Sequence, residues 1–324
     1  MPQLNIVQAI AFTLKQEMER DPTVLVLGED VGRNGGVFRA TDGLFKEFGE
    51  NRVIDTPLSE SGIVGVAIGL ALYGFRPVAE IQFDGFLYPA LDQLISHAGR
   101  IRMRSRGRFN VPLVVRVPYG GGIRAPENHS DSPEAYLVHT PGIKVVTPST
   151  PYDAKGLLTS AIRDPDPVVF LEPKRIYRAI RSDVPEEEYT VSLGKARVVM
   201  EGDDVTVISW GAMMRPVVEA ADRLKDHIST ELVDLRTLSP MDTEAISKSI
   251  EKTGRVVIVH EAPKTCGVGA EVAATINEKA FLSLEAPIER VTGFDVPFPF
   301  FKLENYYLPS ADRITKAIEK VSKF

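Results

Sequence analysis

Short runs of consecutive Val, Ile and Leu recur along the whole chain and alternate with segments of helical periodicity. Clear examples of the apolar runs are Val24–Gly28, Val111–Pro118 and Arg255–Glu261. Strands built from such unbroken runs are buried on both faces, as they are in a parallel sheet covered by helices. The alternation therefore predicts the α/β class, with each sheet packed between two layers of helices.

A polar segment interrupts this alternation in the middle of the chain. Arg181–Lys195 contains several acidic residues and a proline but has no apolar helical face. Because 324 residues are also enough for two domains of ordinary size, we interpret this segment as the linker. The sequence thus predicts two three-layer α/β/α domains, over residues 1–184 and 185–324.

Three of the helices predicted in the first domain lie within its first 104 residues. Asn5 is placed to cap an N-terminal helix, and a later helix is predicted over Pro89–Arg104. Between them, the segment from about Ser59 to Tyr73 is apolar and rich in glycine, as expected for a buried helix. Its glycines share one helix face, where they would permit close packing; they are Gly62, Gly65 and Gly69.

Charge and cysteine content exclude several classes of protein. The chain has 38 basic and 44 acidic side chains, a net charge of −6, whereas proteins that bind nucleic acids or anionic membranes normally carry a basic excess. Cys266 is the only cysteine, so an intrachain disulfide and a multi-cysteine zinc site are both excluded. The N-terminus lacks a basic segment ahead of its apolar part, and no uncharged stretch is long enough to cross a bilayer. We therefore expect a cytoplasmic protein.

The common nucleotide-binding and hydrolase motifs are absent. Gly267 and Gly269 follow a predicted strand, but the third glycine position of a dinucleotide fingerprint holds Val272, so close packing explains these glycines better. No phosphate-binding G-x-x-x-x-G-K-[ST] loop and no G-x-S-x-G nucleophile motif occurs.

Glu60 is the first residue with chemical potential. It lies just past the predicted strand Arg52–Thr56 and at the start of the glycine-rich helix. Helices begin here at the carboxyl edge of a parallel sheet, where α/β proteins bind their ligands. Burial would raise the pKa of such a carboxyl group and the helix dipole would lower it, so the group can exchange a proton with a ligand. The alternative is an ordinary acidic residue in a first helical turn.

His129 is the second such residue. It lies in the glycine-rich, proline-interrupted loop Tyr119–Tyr136, and loops this long inside compact domains are often functional. Its imidazole could take up or release a proton near neutral pH, but it could equally be a solvated loop histidine. For the four other histidines we expect structural roles.

These residues lie in segments that resemble one family over nearly the whole chain. The segments are LGEDVG (Leu27–Gly32), DTPLSESGIVGVAIGLAL (Asp55–Leu72), AEIQFDGFLYPALDQ (Ala79–Gln93), HTPGIKVVTPSTPYDAKGLL (His139–Leu158), LVDLRTLSPMD (Leu232–Asp242) and HEAPKTCGVGAE (His260–Glu271). Together they resemble the beta subunit of the thiamine-diphosphate-dependent decarboxylating component of 2-oxo acid dehydrogenase complexes.

The resemblance implies a pyrimidine-binding domain followed by a transketolase C-terminal-type domain. It implies that Glu60 hydrogen-bonds a ring nitrogen of the thiamine diphosphate aminopyrimidine, with Leu58, Gln82 and Phe86 lining the same pocket. His129 matches a histidine associated with substrate binding and with acyl transfer to lipoyl. Some relatives also bind a potassium ion through backbone carbonyls, and the matching residues here are Leu113, Ala161, Asp164 and Asp166.

The resemblance also implies partners. Family members form α2β2 heterotetramers and pass the acyl group to a dihydrolipoyl acyltransferase core. The Gly-Asp-Gly motif that holds Mg²⁺ in the alpha subunits is missing, since the nearest match is Gly202-Asp203-Asp204 with no asparagine at a suitable distance. We therefore expect the alpha subunit to supply most of the Mg²⁺ ligands and this chain to be inactive alone.

The substrate is expected to be a branched-chain 2-oxo acid, because segments such as LEPKRIYR (Leu171–Arg178) look closer to branched-chain members. A pyruvate- or acetoin-specific member is the alternative. Two further hypotheses are a transketolase-like or deoxyxylulose-phosphate-synthase-like fragment and a non-catalytic assembly subunit.

Overall fold

A computed structural model describes residues 1–324, which divide into two compact units. The first unit comprises Met1–Tyr119 and Tyr136–Leu193, and the second comprises Gly120–Ala135 and Gly194–Phe324. The segment that carries His129 therefore belongs to the second unit, although it lies within the first half of the sequence. The boundary expected at residue 184 stays a prediction.

A parallel sheet forms the centre of the first unit. The strands of this unit are β1 (Gln3–Leu4), β2 (Val24–Gly28), β3 (Val53–Asp55), β4 (Arg76–Glu80), β5 (Val114–Tyr119), β6 (Lys144–Val146), β7 (Val168–Pro173) and β8 (Ser182–Asp183). Six of them lie in the order β6-β7-β5-β4-β2-β3, all parallel. Strands β1 and β8 pair antiparallel, so part of the predicted linker is a strand.

Capping residues set the long helices that cover this sheet. The α-helices are α1 (Ile6–Arg20), α2 (Leu44–Phe48), α3 (Glu60–Leu72), α4 (Ile101–Arg104), α5 (Glu134–Val138), which leads from the second unit back to the first, and α6 (Pro151–Arg163). The Asn5 side chain caps α1 in a complete capping box, as predicted. Thr150 caps α6 and is followed by Pro151 in the first turn.

The helix predicted over Pro89–Arg104 is wrong as a single α-helix. The structure has a 3₁₀ segment at Asp84–Ala90, a π-helical segment at Gln93–Ala98 and then the short α4. Pro89 lies inside the 3₁₀ segment, and the last break falls at Gly99 and Arg100, which follow the π-helical segment and precede α4.

The second unit has its own α/β sheet. Its strands are β9 (Arg197–Met200), β10 (Val205–Ser209), β11 (Thr230–Asp234), β12 (Thr237–Ser239), β13 (Val256–Val259) and β14 (Glu289–Val291). The sheet order is β14-β13-β10-β11-β9, with only β9 antiparallel. Its helices are α7 (Met214–Leu224), α8 (Thr243–Thr253), α9 (Val268–Ala280), α10 (Glu304–Tyr307) and α11 (Ala311–Val321). The α/β prediction for the chain is confirmed by both units.

None of the helices combines the length and the apolar character needed to span a membrane.

Candidate functional site

Glu60 is the first residue of α3 and follows the carboxyl end of β3. Ser59 forms the N-cap, and its hydroxyl accepts a hydrogen bond from the Gly62 amide at 3.3 Å. Glu60 is only 9% exposed, and no hydrogen bond or ion pair within the chain involves its carboxylate. A carboxylate at a helix N-terminus is stabilised by the dipole, and a ligand could add a hydrogen-bond donor to it.

Two further side chains follow strands that end at the same carboxyl edge of the sheet as β3. Glu29 follows β2, and burial together with the negative charges of Asp30 and Glu60 raises the pKa of its carboxyl group. Gln82 follows β4 and donates a hydrogen bond from its side-chain nitrogen to the Glu29 carbonyl oxygen at 3.2 Å. Sequence reasoning placed Gln82 in the site but missed Glu29. The available signal was its position directly after a buried strand in the LGEDVG segment.

Phe86 belongs to a row of aromatic rings. Its ring lies edge-on to Phe83 with centroids 5.9 Å apart, and Phe83 in turn contacts Phe38 at 5.4 Å. The 3₁₀ segment that carries Phe86 begins at Asp84, which is fully buried and ion-paired with Lys174. The position of Phe86 is thus set by its contact with Phe83 and by the ion pair at Asp84, where its 3₁₀ segment begins.

Leu58 precedes α3 in the loop that leads from β3, and its side chain is 72% exposed in this chain. The structure therefore places Leu58, Gln82 and Phe86 in the same unit as Glu60. Their predicted roles in cofactor binding stay predictions.

A buried ionic cluster lies within the central strands. The Arg116 guanidinium on β5 binds Glu80 on β4 at 2.7 Å and Glu172 on β7 at 2.6 Å. Tyr177 adds a hydrogen bond from its hydroxyl to Glu172. Burial raises the pKa of Glu80, although the Arg116 charge opposes this shift. Glu80 is the last residue of β4, two residues before Gln82. The cluster therefore connects the segment that carries Gln82 to the neighbouring strands β5 and β7.

His129 lies in the second unit, in a loop fastened at several points. The Gly121 amide donates to the Glu261 carboxylate at 2.9 Å, and the Arg124 amide donates to the Glu304 carboxylate at 3.1 Å. His129 itself is half-buried, and its Nδ1 lies 2.8 Å from the carbonyl oxygen of Glu127. A carbonyl can only accept, so Nδ1 carries the proton and the lone pair of the neutral ring is on Nε2.

The residues predicted to bind potassium lie together in the first unit, among cationic side chains. The Leu113 carbonyl accepts a hydrogen bond from the Val168 amide at 2.9 Å. The Asp164 carboxylate binds the Lys144 ammonium at 2.6 Å, and the Asp166 carboxylate binds Arg102 at the same distance. The carboxylates of both aspartates therefore have positively charged partners within the chain.

The fourth predicted potassium residue is Ala161, whose carbonyl accepts from the Asp164 amide at 3.3 Å. The potassium site stays a prediction. Elsewhere in the chain, no group of three or more His, Cys, Asp or Glu side chains is arranged to hold a metal ion.

Gly267 and Gly269 have a packing role, as expected. A Cβ at Gly269 would lie 2.5 Å from His260 Nε2, and one at Gly267 would lie 2.9 Å from His260 Cε1. His260 is fully buried and stacks on Trp210 with ring centroids 5.3 Å apart. These contacts require glycine at both positions without any nucleotide.

Comparison with known proteins agrees with this architecture. Residues 2–179 match the family model of the transketolase pyrimidine-binding domain, and residues 194–314 match that of the transketolase C-terminal domain. A solved structure described as a split-gene transketolase, an inactive beta4 tetramer, covers 99% of both chains with a TM-score of 0.82. Its sequence identity is 22%, so this likeness concerns the fold alone.

Three curated relatives are similar along their full length. The chain is 56% identical to the pyruvate dehydrogenase E1 component subunit beta of Bacillus subtilis, with 100% of both chains covered. It is 52% identical to the protein of the same name from Acholeplasma laidlawii, with 99% of this chain and 98% of the relative covered. The Staphylococcus aureus protein of that name is 52% identical over 100% of both chains. The chain thus belongs to the family of beta subunits of 2-oxo acid dehydrogenase E1 components.

Proposed function

We propose that this chain is the beta half of a pyruvate dehydrogenase and contributes one wall of a thiamine diphosphate site shared with an alpha subunit. The observation that carries the proposal is the Glu60 carboxylate, which is buried at a helix N-terminus and has no partner in its own chain. An aminopyrimidine ring nitrogen that shares a proton with this carboxylate would satisfy it.

The residues around Glu60 fit such a ring. Phe86 offers an aromatic face, Leu58 an exposed apolar side chain beside α3, and Gln82 an amide fixed by the Glu29 carbonyl. When bound, thiamine diphosphate supplies the electron sink for decarboxylation of a 2-oxo acid. Glu60 holds the proton at the ring nitrogen, and the apolar neighbours exclude water from it.

His129 is proposed to act in the transfer of the acyl group to lipoyl on the acyltransferase core. Its Nδ1–H donates to the Glu127 carbonyl, which fixes the orientation of the ring. Nε2 can then take up a proton from an incoming thiol or hold a substrate carboxylate once the ring is charged.

An alpha subunit is proposed to cover the exposed face of α3. This helix has no polar side chain after Ser61, yet Val66 and Leu72 are exposed on it and the adjoining Tyr73 is 84% exposed. Gly69 has no neighbouring atom within 4 Å of where a Cβ would be, so nothing in this chain requires a glycine there. An α2β2 assembly in which a partner helix approaches this face would explain both features.

The alpha subunit would also supply most of the Mg²⁺ ligands. The nearest match to the magnesium motif in this chain is Gly202-Asp203-Asp204. Its Asp204 carboxylate has a structural role instead, because it accepts a hydrogen bond from the Ser229 amide at 2.7 Å.

Pyruvate is the proposed substrate. The expectation of a branched-chain substrate is not supported, because the relatives that match along their full length are named for pyruvate. LEPKRIYR was one of the segments that favoured branched-chain members. Its Glu172 and Tyr177 belong to the buried ionic cluster and therefore reflect the core of the sheet.

The test is the variant Glu60→Gln in the assembled complex. We expect decarboxylation of pyruvate, followed with an artificial electron acceptor, to fall by about 10²–10⁴-fold while assembly with the alpha subunit is retained. The exposed Glu50→Gln is the matched control and should leave the rate unchanged. Unaffected turnover in Glu60→Gln would favour the non-catalytic assembly subunit instead. A higher rate with branched 2-oxo acids than with pyruvate in the wild-type complex would contradict the substrate assignment.

A further inference from the structure

A dense run of arginines stands out in this acidic chain. Although the net charge is −6, every second residue of one nine-residue segment in the first unit is an arginine, with no acidic residue between them. The five side chains are exposed on α4 and on the residues that flank it; they are Arg100, Arg102, Arg104, Arg106 and Arg108.

The segment has a defined conformation. The chain turns at Arg106 and Gly107, which have φ values of 54° and 78°, and the Gly107 amide donates to the Arg102 carbonyl at 2.8 Å. The Ser105 hydroxyl then accepts a hydrogen bond from the Phe109 amide at 3.0 Å. These contacts fix the backbone, so the arginines are presented from a folded turn and lose less entropy on binding than they would from a mobile loop.

Three of the arginines line one cavity of about 800 Å³, which we name the arginine pocket. Arg100, Arg102 and Arg106 contribute its positive charge, and no acidic side chain lines it. Gly99 and Gly142 also line the pocket, and their backbones lie so close together that a Cβ on residue 142 would overlap the Gly99 carbonyl. The pocket is therefore built into the fold. Arg102 is ion-paired with Asp166, whereas Arg100 and Arg106 form no ion pair within the chain.

Apolar side chains flank this charge. Met103, which also lines the pocket, is 72% exposed, and Phe109 lies exposed at the end of the turn. Arginine, methionine and aromatic residues are the types enriched at protein interfaces. A small anion would be bound by the arginines but would leave Phe109 uncovered, so a protein surface fits the whole patch better.

The arginines follow directly on a segment that packs against α3. This π-helical segment, Gln93–Ala98, has Gln93 Oε1 3.6 Å from where a Cβ on Gly65 would be. A partner that covers α3 would therefore lie next to the segment that leads into the arginines.

We propose that the arginine pocket is a docking site for the alpha subunit, and that it receives carboxylate side chains of an acidic segment of that subunit. The inference rests on the proposed function, which already assigns the α3 face to the same partner. Arg100 and Arg106 form charge-assisted hydrogen bonds with the incoming carboxylates, while Met103 and Phe109 are covered by apolar groups around them.

The experiment compares two double variants of the same segment. Arg100→Gln/Arg106→Gln removes charge from the pocket, and Arg104→Gln/Arg108→Gln removes the same charge from arginines that do not line it. Each variant is mixed with the wild-type alpha subunit, and the dissociation constant is measured by sedimentation at low and at high salt. We expect the pocket variant to weaken assembly by about tenfold or more and to reduce its salt dependence, with the control within about twofold of wild type.

Three outcomes would overturn the inference: equal assembly of pocket variant and wild type, an equal loss in the control variant, and binding of ADP or pyrophosphate in the pocket without competition by the alpha subunit. Circular dichroism of each isolated variant confirms that it is folded. If wild-type chains assemble tightly but do not decarboxylate any 2-oxo acid, the proposed function fails while the docking site can still stand.

Discussion

Arg116 and Glu172 form a buried pair of hydrogen bonds across the central strands, from Nε to Oε1 at 2.6 Å and from Nη2 to Oε2 at 3.0 Å. The same guanidinium also neutralises Glu80. The variant Arg116→Met would leave two carboxylates buried without a positive charge. We expect the free energy of unfolding to fall by about 3–5 kcal/mol, measured by urea denaturation.

The control for this prediction is Arg223→Met, which removes two exposed ion pairs, from Arg223 to Glu219 and to Asp312. Exposed pairs contribute little, so its urea midpoint should stay at the wild-type value. Equal midpoints for Arg116→Met and Arg223→Met would show that the buried cluster does not stabilise the sheet.

Stability should depend on pH through His260. Burial, with a smaller contribution from the charge of Arg290, lowers the pKa of His260 from 6.5 to about 4. Between these values the unfolded chain binds more protons, so this contribution is fully present above pH 6.5 and is lost as the pH falls towards 4. The loss amounts to about 3 kcal/mol over that window.

The measurement is the unfolding free energy as a function of pH, for wild type and for His260→Phe. The phenylalanine keeps a ring on Trp210 and removes the titrating group, so the slope between pH 4 and 6.5 should decrease. An unchanged slope would assign the acid sensitivity to other groups.

Gly69→Ala should have opposite effects on the isolated chain and on assembly. Gly69 is an exposed interior residue of α3 with open space around it, so alanine should stabilise the chain by about 0.5–1 kcal/mol. The added methyl would keep a partner helix from approaching closely, and the affinity for the alpha subunit should fall. Thermal unfolding and sedimentation measure the two effects.

Gly74→Ala is the matched control, because Gly74 also has open space but a φ of 105°. Alanine is strained at that φ, so this variant should destabilise the chain. If Gly69→Ala left assembly with the alpha subunit intact, the close approach of a helix to this face would be excluded.

Glu304→Ala should affect acyl transfer more than decarboxylation. The buried Glu304 carboxylate holds the Arg124 amide, in a loop where Arg124 and Asn128 adopt φ values of 56° and 62°. Without this contact the loop that carries His129 loses a fixed point. We expect lipoyl acylation to fall by about tenfold, while decarboxylation with an artificial acceptor changes little.

The exposed Glu251→Ala serves as the control for that split. A parallel loss of both activities in Glu304→Ala would indicate general misfolding of the second unit, and no loss in either would remove Glu304 from the positioning of His129.

Local features of the fold could be predicted from the sequence. Asn5 caps its helix through a contact three residues away, and continuous apolar runs such as Val24–Gly28 identify buried strands. The antiparallel β9 was missed because its residues are only partly buried and its pairing with β11 depends on residues distant in sequence.

In the candidate site, too, local features could be predicted from the sequence and contacts between distant residues could not. Glu60 was found because its position at a helix start is visible locally. Its closeness to Glu29 depends on the parallel strands β2 and β3 lying side by side, which the sequence does not specify directly. The fastening of the His129 loop by Glu261 and Glu304 joins residues more than a hundred positions apart, so no local pattern could reveal it.

The exposed apolar side of α3 has a consequence for how a cell must make this protein. A newly synthesised chain without its partner would expose an apolar, glycine-containing surface to other copies of itself. Surplus chains would stick to one another and become substrates for chaperones and proteases. The exposed face of α3 thus requires that this chain and its alpha subunit be produced in matching amounts.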